Sequence, residues 1–178
     1  MSHWIGMGPA MLLAVMIGQR LGELYLTARN LPYIRSRGGV EYGRSHFPLI
    51  VAVHVLFPIL FVIELTHHDT RPSPIWVFWL FLFVAAQVLR YAAILALGQR
   101  WSTRVFVIPN MPPVRTGPYR WLRHPNYVAV VLELIAAPML FGAWRTAIVI
   151  GVLNAIALAV RIRCENDALQ RAAVDSSR

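Results

Sequence analysis

Five apolar runs divide the chain, at residues 4–26, 47–65, 75–97, 127–144 and 147–162. A helix needs about 20 apolar residues to cross a hydrocarbon core of about 30 Å, so each run predicts a membrane-spanning helix. The last two are short and separated only by the WRT stretch at 144–146, which predicts a tight antiparallel hairpin. Polar residues gather between the runs. The expected fold is therefore all-α, an integral membrane bundle of five transmembrane helices closed by a C-terminal hairpin. It divides into residues 1–97, with the first three helices, and residues 98–178, with a loop, the hairpin and a tail.

Composition supports this reading: 57% of residues are hydrophobic, 14% are charged and the mean hydropathy is +0.54. All 17 basic residues are arginines, giving a net charge of +9. In so apolar a chain that excess points to loops against anionic headgroups rather than to nucleic acid. Arg29, Arg35, Arg37 and Arg44 follow the first run, Arg100, Arg104, Arg115, Arg120 and Arg123 follow the third, and Arg161, Arg163, Arg171 and Arg178 close the chain. The opposite loops carry only Arg71 and Arg145. Retention of positive charge inside predicts an external N-terminus and a cytoplasmic C-terminus. No basic segment precedes the first apolar run, which reads as a retained helix rather than a signal peptide. Cys164 is the single cysteine and excludes an intramolecular disulfide.

Charged groups inside the spans cost roughly 2.5 to 3.5 kcal/mol each for Arg or Asp on insertion scales, so they must pair or meet water. Arg20 and Glu23 are three apart on one helical face and suit a local ion pair. His54, Glu64, Arg90, Glu133 and Asn154 should face the bundle interior, either joining helices or serving a site. Arg90 and Glu133, charged and deep in their spans, are the pair most suited to meet each other.

No dinucleotide, P-loop, zinc-protease or hydrolase signature is present, and the six histidines lack metal-ligand spacing, so no metal site is expected. One stretch is chemically dense: GPYRWLRHPNY, residues 117–127, just before the fourth span. Gly117 permits a tight turn, and Pro125 suits the first turn of a helix. That places His124 at a helix N-terminus, where free amides and the helix dipole favour an anion, with Arg120 and Arg123 adding charge. Tyr119, Trp121 and Tyr127 offer faces for an aromatic base or a cation. S-adenosylmethionine combines a base, a cationic centre and a carboxylate. On residue chemistry alone, a juxtamembrane anchor binding lipid phosphate through arginines and aromatics explains the stretch as well.

The order GPYRWLRHPNY, apolar hairpin, RIRCENDAL resembles the C-terminal core of the isoprenylcysteine carboxyl methyltransferase family of integral membrane enzymes, and LGQRWSTRVFVIPNMPPVRT is similar to that family's lead-in. The N-terminal RLGELYLTARN and RGGVEYGRSHFPLIVAVH look like the bacterial branch associated with type III polyketide synthases. The resemblance implies that S-adenosylmethionine binds beside a cytoplasmic loop and the ends of the last two helices. Tyr119, His124, Pro125, Asn126, Tyr127 and Glu165 would line it, with Met111, Pro112, Pro113 and Val114 along its border. By the same resemblance Arg161 faces the substrate. Arg161 and Glu165 are four apart and share a helical face, which equally suits a plain salt bridge. Many family members carry two adjacent glutamates where this chain has Glu165 and Asn166, which puts the second carboxylate's role in doubt.

Methyl transfer from a sulfonium is an in-line displacement that needs alignment and exclusion of water. An enol, phenol or carboxylate ionises readily, and Arg161 or Arg90 could hold its oxyanion. An amine would be repelled by the arginines. The expectation is therefore O-methylation of a lipophilic acceptor that enters from the bilayer, such as an alkylpyrone or alkylresorcinol hydroxyl or a prenylcysteine-type carboxylate. A phospholipid N-methyltransferase, a related nicotinamide-dependent membrane reductase and a non-catalytic helix bundle stand as alternatives.

Overall fold

The computed structural model of the chain describes residues 3–68 and 70–175; Arg178 lies outside them, as do the side chains of His3 and Arg171. The chain forms α1 (His3–Ser36), β1 (Val40–Tyr42), α2 (Phe47–His67), α3 (Trp76–Leu97), β2 (Val105–Val107), α4 (Pro125–Met139) and α5 (Trp144–Asp175). Short 3₁₀ turns occupy Gly98–Arg100 and Gly117–Arg120. The expected all-α bundle is present. α2, the helical stretch Trp76–Arg100 and residues Trp144–Gln170 are each long and apolar enough to cross a membrane. α4 is apolar but has 15 residues, and α1 carries Arg20 and Glu23 near its middle.

α4 lies between α3 and α5, and α2 packs on the other side of α5. Small residues line these seams: Ala86 and Ala93 of α3, Ala129, Ala136 and Ala137 of α4, and Ala147 and Ala157 of α5 are buried. Side chains this small let apolar helices approach closely when lipid is the surrounding solvent. Phe57, Phe61, Leu134 and Ile150 fill the space between them. The outward faces, with Val55, Ile59, Phe81, Val88, Leu95 and Val152 exposed, are apolar as well. That is the surface of a protein embedded in lipid.

α1 runs ten residues past the predicted end of its apolar stretch. A buried stripe of Glu23, Thr27, Asn30 and Ile34 continues the helical spacing after the hydrophobic run stops. This stripe docks on the segment after α3: Asn30 Nδ2 donates to the Gly98 and Trp101 carbonyls at 3.2 and 3.0 Å, and the Thr103 amide donates to Thr27 Oγ1 at 2.9 Å. Gly38, at φ 75°, ends the helix in the left-handed conformation that a glycine adopts without strain.

Two further features depart from the expected pattern. β1 and β2 form an antiparallel ladder with Val40 opposite Val107 and Tyr42 opposite Val105, tying the loop after α1 to the loop after α3. The hairpin turn lies at Leu140–Ala143, and Trp144 opens α5 instead of ending α4. The Ala143 amide donates to the Pro138 carbonyl at 3.0 Å, and Gly142 adopts φ 73° where a Cβ would collide with the Arg71 backbone. α5 then continues well past Ile162, so the predicted short fifth span is the first part of a 32-residue helix.

Glu64 of α2 secures the start of α5. Its carboxylate accepts the Arg145 amide at 3.1 Å, the Thr146 amide at 2.7 Å and the Thr146 hydroxyl at 2.6 Å. It satisfies first-turn donors that α5 cannot pair by itself.

Glu64, Arg90 and Glu133 face inward as predicted, and Arg90 and Glu133 meet the Arg20–Glu23 pair of α1. Arg20 Nη1 lies 2.8 Å from Glu23 and its Nη2 lies 2.5 Å from Glu133. Arg90, fully buried, reaches Glu23 at 2.8 Å and also pairs with Glu133. Two guanidiniums and two carboxylates thus cancel in the bundle centre and link α1, α3 and α4.

Candidate functional site

Gly117, at φ 56°, turns the chain beneath α3, where a Cβ would come 3.2 Å from that of Ala96. Pro118 is buried, and the 3₁₀ turn leads to Trp121. His124 then occupies the cap position of α4 with Pro125 in the first turn, and its carbonyl receives the Tyr127 and Val128 amides. The dense stretch is therefore a loop clamped on α3 that ends in a helix N-terminus.

The far end of the hairpin returns to this point. The His124 ring stacks on Tyr127 with centroids 5.1 Å apart, and His124 Nδ1 lies 3.8 Å from Glu165 Oε1. The Tyr127 hydroxyl donates to Glu165 Oε2 and accepts from Arg161 Nε at 2.8 Å. Arg161 also donates from Nη2 to the Thr103 carbonyl at 2.7 Å and sits over the Tyr127 ring, 5.3 Å from its centroid. The shared face of Arg161 and Glu165 is real, but among the described residues no ion pair joins them directly. The Tyr127 hydroxyl stands between them. This leaves Glu165 partly exposed, with one carboxylate oxygen beside an imidazole.

The remaining predicted residues divide. Tyr119 is half-buried near the cluster; burial, and then the Glu165 charge, push its hydroxyl pKa up, so it stays a phenol. Asn126 borders the same region with its Oδ1 buried and without a partner. Trp121 points away, 78% exposed, with Arg120 over its ring at 5.8 Å, and Arg123 is exposed beside it. Those three have the placement of an interfacial anchor. Met111, Pro112, Pro113 and Val114 form an irregular connection held by Arg100, which donates to the Pro112 carbonyl at 2.8 Å. Among the described residues no hydrogen bond joins it to the cluster. Arg90 lies in the charged network and not among the residues around Tyr127.

Beside the cluster a cavity of about 490 Å³ opens between α1, α2, α4 and α5. Leu13, Ile17, Leu24, Ile50, Val55, Phe57 and Ile59 make it apolar, whereas Arg20, Glu23, His54, Asn126, Tyr127, Asn154 and Arg161 supply polar points on its wall. Asn126, Tyr127 and Arg161 belong to both the cluster and the cavity. Sequence reasoning did not find Thr103, whose carbonyl orients Arg161, because a backbone acceptor leaves no residue signature. It also missed His46, next to Arg161, whose imidazole is held below its ordinary value by burial and by the Arg161 charge.

A profile of the Isoprenylcysteine carboxyl methyltransferase (ICMT) family matches residues 79–171. The chain is 36% identical over 164 residues to the "Uncharacterized protein YpbQ" of Bacillus subtilis, covering 92% of this chain and 98% of that one. It is 25% identical over 157 residues to an "Uncharacterized protein" of Haemophilus influenzae, covering 88% and 91% respectively. No solved structure matches it.

Proposed function

The chain belongs to the isoprenylcysteine carboxyl methyltransferase family, and from that premise we propose that it transfers a methyl group from S-adenosylmethionine to an oxygen of a lipophilic acceptor. The observation that carries the reading is the shared wall. The His124–Tyr127–Glu165 cluster, a polar site open to water, abuts an apolar cavity, and Tyr127 and Arg161 belong to both.

The donor set suits the cofactor. Glu165 can accept from ribose hydroxyls or an ammonium group, the His124 ring stacked on Tyr127 offers its outer face, and the α4 N-terminus favours a carboxylate. The orphaned Asn126 Oδ1 is a further acceptor. S-adenosylmethionine, when bound, supplies an electrophilic methyl group. The chain's own part is alignment. Arg161, fixed by Tyr127 and the Thr103 carbonyl, is preorganised to hold an acceptor oxyanion without first having to be ordered. Arg90 acts at one remove, holding Glu23 on the cavity wall. In this reading residues 98–178 hold the cofactor, the first two helices complete the acceptor cavity, and the motif faces the cytoplasm. The acceptor arrives from the bilayer and bears either a ring hydroxyl, as in an alkylpyrone or alkylresorcinol, or a prenylcysteine-type carboxylate.

Calorimetry with S-adenosylmethionine on the detergent-purified protein tests the cofactor. Saturable binding should weaken at least tenfold in His124→Ala and in Glu165→Ala. No binding, or equal binding by all three proteins, overturns the proposal.

A further inference from the structure

His54 lies in α2, seven residues beyond Phe47, and lines the apolar cavity. Its Nδ1 is 2.8 Å from the Ile50 carbonyl oxygen, one turn back on the same helix. A carbonyl can only accept, so Nδ1 carries the hydrogen, and in the neutral imidazole the lone pair then lies on Nε2. The first contact turns Nδ1 toward its own helix and leaves Nε2 as the distal end of the ring. That atom is buried and has no hydrogen-bond partner. Asn126 Oδ1, from the same cavity wall, is likewise buried and unpartnered. Both orphans are acceptors.

Buried polar atoms without partners are rare, because each forfeits a hydrogen bond made in water. An orphan fixed in orientation by its other nitrogen, just beneath the surface of a residue that lines a ligand-sized cavity, therefore has the features of a recognition point reached by a small turn of the ring. We propose that His54 is a specificity-determining residue whose Nε2 accepts a hydrogen bond from a hydroxyl of the lipophilic acceptor. This rests on the reading of the cavity as an acceptor site and decides between the two acceptor classes left open there. Arg161, on the same wall, can hold an oxyanion of either class, but an ionised carboxylate has no hydrogen to donate to Nε2. A ring hydroxyl that stays protonated satisfies it. Arg20 and Glu23, on the same wall, are already engaged with each other. His54 is thus the cavity's uncommitted contact on α2.

The test uses a long-chain 3-alkylphenol and its methyl ether, which share a shape and differ in one donor. Their binding to the full-length protein in detergent is measured by calorimetry without cofactor. Wild type should prefer the phenol by about tenfold, the worth of one hydrogen bond. His54→Phe should lose that preference by weakening phenol binding alone, and His54→Gln, which restores an acceptor, should recover part of it. In ¹⁵N-histidine-labelled wild type, the His54 Nε2 resonance should shift with the phenol and not with the ether. Equal affinity for the two probes, a preference that survives in His54→Phe, an unmoved Nε2 resonance, or no binding of either probe overturns the proposal. S-adenosylmethionine affinity, read on the same variants, should stay unchanged. Its absence from wild type would sink the methyltransferase reading instead, while leaving the phenol preference measurable.

Discussion

Arg90→Leu should be among the most damaging single substitutions in the chain. The network holds two positive and two negative charges, and Arg90 contacts both carboxylates. Its removal leaves Glu23 and Glu133 against Arg20 alone, a net charge of −1 among apolar helices. Breaking one partner from a buried ion pair costs about 3–5 kcal/mol, equivalent to roughly a hundredfold to several-thousandfold in the folding equilibrium. Arg90→Leu combined with Glu133→Leu restores neutrality and keeps the Arg20–Glu23 pair. The double variant should therefore be more stable than either single one, with a coupling energy on the order of 2 kcal/mol. SDS-induced unfolding in mixed micelles, followed by tryptophan fluorescence, gives the three midpoints. A single variant within about 0.5 kcal/mol of wild type, or a double variant whose loss equals the sum of the two, refutes a charge-balanced network.

Glu64→Ala should lower stability by about 1–3 kcal/mol, because it strands buried donors at the start of α5; the thermal midpoint in detergent reads this, and Glu64→Gln should recover part of the loss. His46 has a depressed pKa in the folded protein, so the unfolded chain binds more protons below its ordinary value of 6.5. Its contribution is present above pH 6.5 and declines as the pH falls toward the folded pKa, so the thermal midpoint of wild type should drop from pH 7.5 to 5.5 more than that of His46→Asn.

Much of the bundle was legible because a lipid interior demands long apolar runs, and α2 and α3 match their runs to within two residues at each end. The cost of a lone charge told that Arg90 and Glu133 must find partners, while their meeting, and the sharing of both with Arg20 and Glu23, depended on helix packing. What escaped notice depended on partners distant in sequence. The continuation of α1 rests on Thr27 and Asn30 finding backbone groups after α3, and β1 and β2 are three residues each, too short for an alternating pattern to register. The hairpin was misplaced because Trp144 was counted as apolar, whereas the backbone constraint resides in Gly142. At the candidate site, the pairing of HPNY with RIRCE was implied by the family resemblance of the two motifs. The insertion of the Tyr127 hydroxyl between Arg161 and Glu165 was not, since helix periodicity describes one helix and this contact crosses two.

The 15 residues of α4 also fix a depth. At about 1.5 Å per residue they span about 22 Å, against a hydrocarbon core of about 30 Å. Trp144, half exposed and stacked with Arg145 at 4.9 Å, has the amphipathic character that holds a helix end at the interface. Measured from there, the His124 end of α4 stops roughly 8 Å short of the opposite headgroups, while α5 carries on past it. A helix shorter than the hydrocarbon core is matched by local thinning of the bilayer or by water reaching its end, here the end that carries His124 and faces Glu165. Under the proposed methyl transfer, membrane thickness would then control how far the water-borne cofactor must descend and how far the lipid-borne acceptor must rise before they share the same plane.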